Sequence, residues 1–383
     1  MSHFERICGT LLAICMITAA GIAQIADAHA GVLAVLHSFT SPDGANPWAD
    51  VLIDKHGNLF GTTYLGGDGG SGVVFRLNTE GKETVLYSFP DGNDGANPTT
   101  PVIRDHLGHL YGTNPYSGAL GGGTVFRVDR HGDESVVYAF GNDRIGYGPE
   151  AGLIIDAAGN LYGTTNTGGS GGKGTVYKLT PQGTATRLHA FKGHDGANPF
   201  GDLIMDPSGN IYGTTYFGGA SNLGTVFELS PDGTHRVLHS FAGGSDGANP
   251  VAGLVADGSG NLYGTAPAGG SHGLGVVFKV APDRTETVLH SFAGGSDGAV
   301  PAAHLTKGKS GVFYGTTDKG GSADCGTIFM ITKRGQETTL YEFTGTTDGA
   351  DLRAGLTMDK VGNLYGTAYA GGKGFGTVFR FSR

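Results

Sequence analysis

Cysteine is scarce: the chain has three, and Cys8 and Cys15 both fall within the first thirty residues. With that segment removed, Cys325 stands alone and no internal disulfide can form, so stability must come from packing a large core. Helical periodicity is missing, because no stretch repeats apolar residues at the spacing of a helix face. Clusters of basic charge are missing too. The chain carries 25 Lys+Arg against 34 Asp+Glu, and losing Arg6, Glu5 and Asp27 with the first thirty residues leaves 24 against 32, a net charge near −8. That balance argues against nucleic acid as a partner. The string G-x-S-x-G falls only in glycine-rich loops between strands and gives no nucleophile elbow, H-E-x-x-H does not occur, and the calcium-loop pattern D-x-[DN]-x-[DN]-G is absent.

A single apolar run, Leu11 to Ile25, is interrupted by Thr18, Gly21 and Gln24 and is short for a membrane span. Arg6 precedes it and Ala28-His29-Ala30 follows it. This order predicts a secretory signal peptide over 1–30, cut after Ala30, and an exported domain over 31–383 with no membrane span. Periplasm and medium are equally compatible with it.

Glycine is abundant, at 72 of 383 residues, and its positions are periodic. The tripeptide [FY]GT starts at Phe60, Tyr111, Tyr162, Tyr212, Tyr263, Tyr314 and Tyr365. A second marker, G[TV][VI][FY], starts at Gly72, Gly123, Gly174, Gly224, Gly275, Gly326 and Gly376. Two independent rulers share a period of fifty or fifty-one residues, so one structural unit is copied seven times. In the fourth copy, GDLIMD (201–206), NIYGTTY (210–216), GTVFELS (224–230) and THRVLHSF (234–241) read as four short strands, A to D. Asp206-Pro207-Ser208-Gly209 and Ser230-Pro231-Asp232-Gly233 supply tight turns. Asp54, Asp105, Asp156, Asp206, Asp257 and Asp359 open the A–B turns, and each is expected to accept backbone N–H groups of its own turn.

Strand count decides the closure. The mature chain opens with a lone D-type strand, VLAVLHSF (32–39), and ends after strands A, B and C over 355–381. Pairing the two ends predicts an all-β, seven-bladed β-propeller of four-stranded antiparallel blades, its ring closed by the N-terminal strand completing the C-terminal blade. Phe75, Phe126, Tyr177, Phe227, Phe278, Phe329 and Phe379 on strand C, and the matching strand-D phenylalanines from Phe39 to Phe343, are expected to wedge between blades. The Gly-Thr pair of strand B is expected to let blades approach near the axis.

The motifs D-x-x-G-N-L-Y-G-T-T, G-G-x-x-G-x-G-T-V-F, V-L-H-S-F and D-G-A-N-P resemble the GloVer tandem repeats, a glycine- and valine-rich family of exported bacterial proteins. The resemblance runs from Val32 to Ser382. It implies a repeat in an exported protein and lends no catalytic residues, since the family has no established activity. The strand-turn-strand pattern is also similar to NHL-type propellers, in fold only.

Long D–A and B–C loops share one face, which is the candidate binding surface. The D–A loop begins at Asp43, Asp94, Asp195, Asp246, Asp297 and Asp348. A ring of carboxylates suits Ca²⁺, but one carboxylate per loop equally suits a capped turn, with the Asn before Pro held extended. His37, His189, His239 and His290 share one strand-D position with Tyr87, Tyr138 and Tyr341, which points to a packing role with a hydrogen bond. One loop, NDRIGYGP (142–149), breaks the pattern with Arg144, Ile145 and Tyr147. The residue after the loop proline varies as Trp48, Thr99, Glu150, Phe200, Val251 and Ala302, with Arg353 at the aligned place in the last copy. The B–C loop starts with Tyr64, Pro115, Asn166, Tyr216, Pro267, Asp318 or Tyr369.

Function in a repeat protein must lie where the copies disagree. The candidate ligand-binding residues are therefore Trp48, Tyr64, Arg144, Tyr147, Glu150, Phe200, Tyr216, Arg353 and Tyr369. No catalytic or metal residues and no cofactor are assigned. The expected function is a monomeric binding or scaffold module for a glycan or cell-envelope protein. The alternative is a propeller lyase or hydrolase at the channel mouth, drawing on Arg144, Glu150, His304, Asp318, Lys319 and Arg353.

Overall fold

A computed structural model describes residues 31–141 and 144–383, so the expected signal peptide over 1–30 lies outside the described residues. Seven four-stranded antiparallel sheets account for the named strands. Blade 4 is typical, with strands Ile204–Met205, Ile211–Thr215, Thr225–Leu229 and His235–Ser240. Blade 7 takes Thr357–Met358, Leu364–Ala368 and Thr377–Ser382 from the C-terminus and Val32–Ser38 from the N-terminus. The last two run antiparallel, from Val32 opposite Ser382 to Ser38 opposite Thr377. The closure read from the strand count is borne out. Beyond strands, the D–A loops carry single 3-10 turns at Gly92–Asp94, Gly244–Asp246 and Gly295–Asp297.

The two sequence markers are two halves of one contact. Gly213 of strand B lies opposite Phe227 of strand C. A Cβ on Gly213 would sit 2.8 Å from the tip of the Phe227 ring. The same clash would arise at Gly61, Gly112, Gly264, Gly315 and Gly366 with their own blade's phenylalanine. This corrects the expected reason for the glycine: it clears space for the strand-C ring of its own blade. The neighbouring threonine makes the inter-blade link. Thr62, Thr214, Thr265 and Thr367 donate their hydroxyls to Thr100, Ala252, Ala303 and Ala49 carbonyls of the next blade at 2.8–3.0 Å.

The aromatic wedges behave as expected. The strand-D ring of one blade meets the strand-C ring of the next edge-on: Phe39–Phe75 at 5.2 Å, Phe191–Phe227 at 5.3 Å and Phe241–Phe278 at 5.1 Å. Such pairs contribute about 0.5–1.5 kcal/mol beyond their buried area. One copy departs from the others. Tyr177 is fully buried where six copies have Phe, and its hydroxyl has no hydrogen-bond partner among the described residues. Replacing Tyr177 by Phe removes that polar group without changing the ring, so it is expected to stabilise the fold by about 1–2 kcal/mol. Denaturant unfolding checks this, and an unchanged or lower midpoint contradicts it.

The A–B turns are capped as read. Asp206 accepts the Ser208 and Asn210 amides at 2.8 and 2.9 Å through one oxygen. Its other oxygen accepts the Asn210 side chain at 2.8 Å and the Tyr212 hydroxyl at 3.2 Å. The D–A aspartates also cap their loops. Asp195 accepts the Lys192 amide at 2.7 Å and lies 3.1 Å from His189 Nε2. The asparagines before proline differ from expectation. Asn46, Asn97, Asn198 and Asn249 sit at φ 53–58°, in the left-handed region that Asn tolerates, and are not extended. That bend turns each side-chain amide onto the preceding blade: Asn46, Asn97 and Asn249 donate to the Tyr369, Tyr64 and Tyr216 carbonyls at 2.9–3.0 Å.

Candidate functional site

Each D–A loop delivers its post-proline residue, or Arg353 after Leu352 in the last, to the channel mouth, because a left-handed residue turns the chain inward just before strand A. A cavity of ≈ 560 Å³ opens there. Trp48, Glu150, Phe200 and Arg353 line it together with Tyr64 and Asp318 from the start of the B–C loops. The side chains at which the copies disagree therefore face one another. Tyr216 and Tyr369 stand directly behind them. The Phe200 and Tyr216 ring centroids are 5.6 Å apart, and those of Trp48 and Tyr369 5.3 Å. Arg353 packs against two rings, with its guanidinium carbon 4.2 Å from the Trp48 centroid and 4.0 Å from that of Tyr369. Two such cation–π contacts hold the guanidinium in place.

Two candidates lie elsewhere. Arg144 is exposed, and its carbonyl accepts a bond from Arg187 at 3.1 Å. Tyr147 exchanges backbone hydrogen bonds with Thr167. Neither is among the cavity's lining residues. Asn142 and Asp143 of that loop lie outside the described residues. Ile145, which replaces the usual aspartate, is 8% exposed and joins Phe140, Leu153 and Tyr177 in the core. The irregular loop thus contributes Glu150 to the cavity and an apolar plug to a blade seam. Lys319 is paired with Asp351 at 2.5 Å.

Three polar residues that converge here were only partly anticipated. Asp50, Asp202 and His304 occupy one repeat position, two residues beyond the post-proline site. The other four copies have Pro101, Gly152, Gly253 and Gly355 there. The small residues make room for the large ones. A Cβ on Gly355 would lie 2.9 Å from the His304 ring, and one on Gly152 would lie 2.8 Å from the Asp202 carboxylate. The His304 ring therefore passes over blade 7 to reach Asp50 of blade 1, with Nε2 3.1 Å from Oδ2. Asp202 accepts the Gly152 amide at 2.5 Å. Asp50 and Asp202 are distinguished in the sequence only by differing from the other copies at this position, and His304 is the one imidazole there.

The electrostatics of the cavity follow from burial. Burial pushes the Asp202 carboxyl up, against the attraction of His304 and with repulsion from Asp50. Burial also raises Glu150, partly offset by the Asn166 amide bonded to it at 3.2 Å. It raises Asp318 despite nearby Lys319. Thr99 Oγ1 and Asp318 Oδ1, both on lining residues, are buried without a hydrogen-bond partner among the described residues. The cavity therefore offers aromatic walls, one fixed guanidinium and several under-used polar atoms, a combination suited to a small polar ligand.

The comparisons agree with this architecture. A streptogramin B lyase structure aligns over 92% of this chain and 97% of its own, with TM-score 0.64 and 14% identity. The extracellular domain of the one-component-system protein BT4673 from B. thetaiotaomicron aligns over 91% of this chain and 40% of its own, with TM-score 0.58 and 14% identity. At such identities the likeness shows the fold alone. No curated protein matches in sequence. No helix among the described residues is long and apolar enough to cross a membrane. The family model for the Gloeobacter/Verrucomicrobia repeat matches residues 19–157 and 206–383, in keeping with the repeat resemblance read from the motifs, and the chain belongs to that repeat family.

Proposed function

We propose that this is an exported, monomeric propeller that binds a small polyhydroxylated ligand of the saccharide class in the axial cavity. The observation that carries this reading is convergence. Trp48, Tyr64, Glu150, Phe200 and Arg353 come from four different blades and meet in one cavity. Aromatic faces stack on the apolar faces of sugar rings, while carboxyl and hydroxyl groups bond the ring hydroxyls. Glu150, Asp202, Asp318 and Thr99 supply those groups. The large scaffold of repeated Gly, Thr and Phe serves to hold these few side chains still.

Trp48 is the one tryptophan of the chain, so intrinsic fluorescence reads the cavity directly. Titration with neutral sugars, amino sugars and uronic acids is expected to give a saturable change in Trp48 emission for one of these groups. Phe200→Ala and Arg353→Ala are each expected to weaken that binding about ten-fold or more, the scale of losing one buried anchor. If none of these sugars shifts the emission or binds by calorimetry, the reading fails.

The His304–Asp50 pair favours a second reading, an enzyme in which His304 moves a proton and Asp50 orients its ring. In that case His304→Gln is expected to abolish turnover of the bound sugar while leaving its affinity within a few-fold. A bound sugar recovered chemically unchanged from the parent protein would remove this reading.

A further inference from the structure

A second kind of site recurs far from the axis, in the seams between blades. In seam 4/5, His239 ends strand D of blade 4, Asp246 begins the following loop, and Glu286 begins strand D of blade 5. In seam 5/6 the same places hold His290, Asp297 and Glu337. In each group one donor atom per residue lies within 4.8 Å of the others. Imidazole Nε2 is 3.0 Å from Asp246 Oδ1 in the first and 2.8 Å from Asp297 Oδ1 in the second. The loop fixes the aspartates. The Ala242 and Ala293 amides hold the other carboxylate oxygen at 2.6 Å, which leaves Oδ1 aimed at the seam. The imidazoles are also held, edge-on against Phe241 and Phe292 at 4.8 Å.

Glu286 is what a packing role leaves unexplained. Glu286 Oε1 is buried, without a hydrogen-bond partner among the described residues, and faces a second carboxylate. Where Ile145 replaces the loop aspartate, the equivalent of Glu286 is Ala185.

We propose that seams 4/5 and 5/6 each bind one divalent transition-metal ion of the zinc class, held by His239, Asp246 and Glu286 in one and by His290, Asp297 and Glu337 in the other. Nitrogen and carboxylate donors together suit such ions better than calcium, which takes oxygen alone. Three donors at roughly 2.0–2.2 Å from a tetrahedral ion lie about 3.3 Å apart, so a small contraction of the seam closes the site. The fourth position faces outward, since the imidazoles and aspartates are only partly covered, at 17–22% exposure. The His189, Asp195 and His235 group does not join them. Its imidazoles stack at 4.0 Å with planes 7° apart, so their in-plane lone pairs run parallel and cannot meet on one ion. Each bound ion would tie two blades by coordinate bonds and so resist opening of the ring.

The test uses the untagged chain, treated with chelator and desalted. Zn²⁺ is expected to raise the melting temperature, and Co²⁺ to give visible tetrahedral ligand-field bands that saturate near two equivalents. Glu286→Gln and Glu337→Gln preserve shape and are each expected to remove one equivalent, and the double substitution both. Metal-free melting of these variants within a few degrees of the parent shows that they fold. No saturable binding by the parent overturns the proposal, as does stoichiometry unchanged in the double variant.

Discussion

A chain shortened to begin at Thr40 is expected to lose cooperative folding, or to fold only as a self-associated species. The missing segment is the outer strand of blade 7, paired over its length with Thr377–Ser382. It also carries Phe39, which is fully buried and edge-packed on Phe75 of blade 1, and Leu33, which packs with Phe381 and Phe343. Truncating one buried Phe typically costs about 3–5 kcal/mol. Losing a strand, two seam side chains and the hydrogen-bonded closure approaches the whole margin of about 5–15 kcal/mol that holds a domain folded. The bared edge of Thr377–Ser382 would then present unpaired backbone groups to other chains. Circular dichroism melting and size-exclusion chromatography read the result. Phe39→Ala is expected to give the intermediate loss of about 3–5 kcal/mol with the ring still closed. A peptide spanning residues 31–39, added in trans, is expected to restore a sharp transition. A truncated chain that melts as a monomer within a few degrees of the parent would show that the closure contributes little.

The fold was legible because the chain is its own alignment. Seven copies at a constant period revealed strands, turns and the orphan strand Val32–Ser38 that closes the ring. Roles that depend on register were less legible. The glycine of [FY]GT looked like a spacer between blades. Only the pairing of Gly213 with Phe227 shows that it clears its own blade's ring, while the threonine beside it does the bridging. The asparagine before proline was misjudged, since the usual extended preference yields to the left-handed bend that lets its side chain reach the neighbouring blade. At the cavity, variable post-proline residues pointed to Trp48, Glu150, Phe200 and Arg353 correctly as neighbours. Asp50 and Asp202 escaped because they meet His304 across the axis from blades 1, 4 and 6, and no local spacing encodes that meeting. Irregularity alone was a poor guide: Arg144 and Tyr147 sit in the most irregular loop, yet what that loop chiefly changes is a seam, through Ile145.

Stability is expected to collapse on the acid side through the aspartates that open the A–B turns, and Asp257 should dominate. Its side chain is 1% exposed and accepts a bond from Lys333 of the next blade at 2.8 Å. Burial alone would raise this carboxyl. The Lys333 ammonium, the Asn261 side chain and the Ser259 and Asn261 amides outweigh it and hold the group far below its ordinary 3.8. Asp54, Asp105, Asp156, Asp206 and Asp359 are also held below 3.8 by donors of their own turns. A depressed folded pKa means that the unfolded chain binds more protons in the window beneath 3.8, so stability rises with pH there. The contribution is complete above 3.8 and is lost as pH falls through the lowered folded value. Removing one partner of a buried, hydrogen-bonded pair costs about 3–5 kcal/mol, and Asp257→Ala should show that loss at neutral pH. Asp359→Ala, whose turn has no such lysine bond among the described residues, should lose only about 1–2 kcal/mol. Urea unfolding at neutral pH and again below 3.8 separates charge from shape. The Asp257→Ala deficit is expected to narrow as the unfolded carboxyl takes up its proton, and Asp257→Asn should lose most of that neutral-pH contribution while keeping the turn. A deficit that stays constant across the window would mean that Asp257 acts through shape and packing, leaving the cross-blade charge pair without a measurable share.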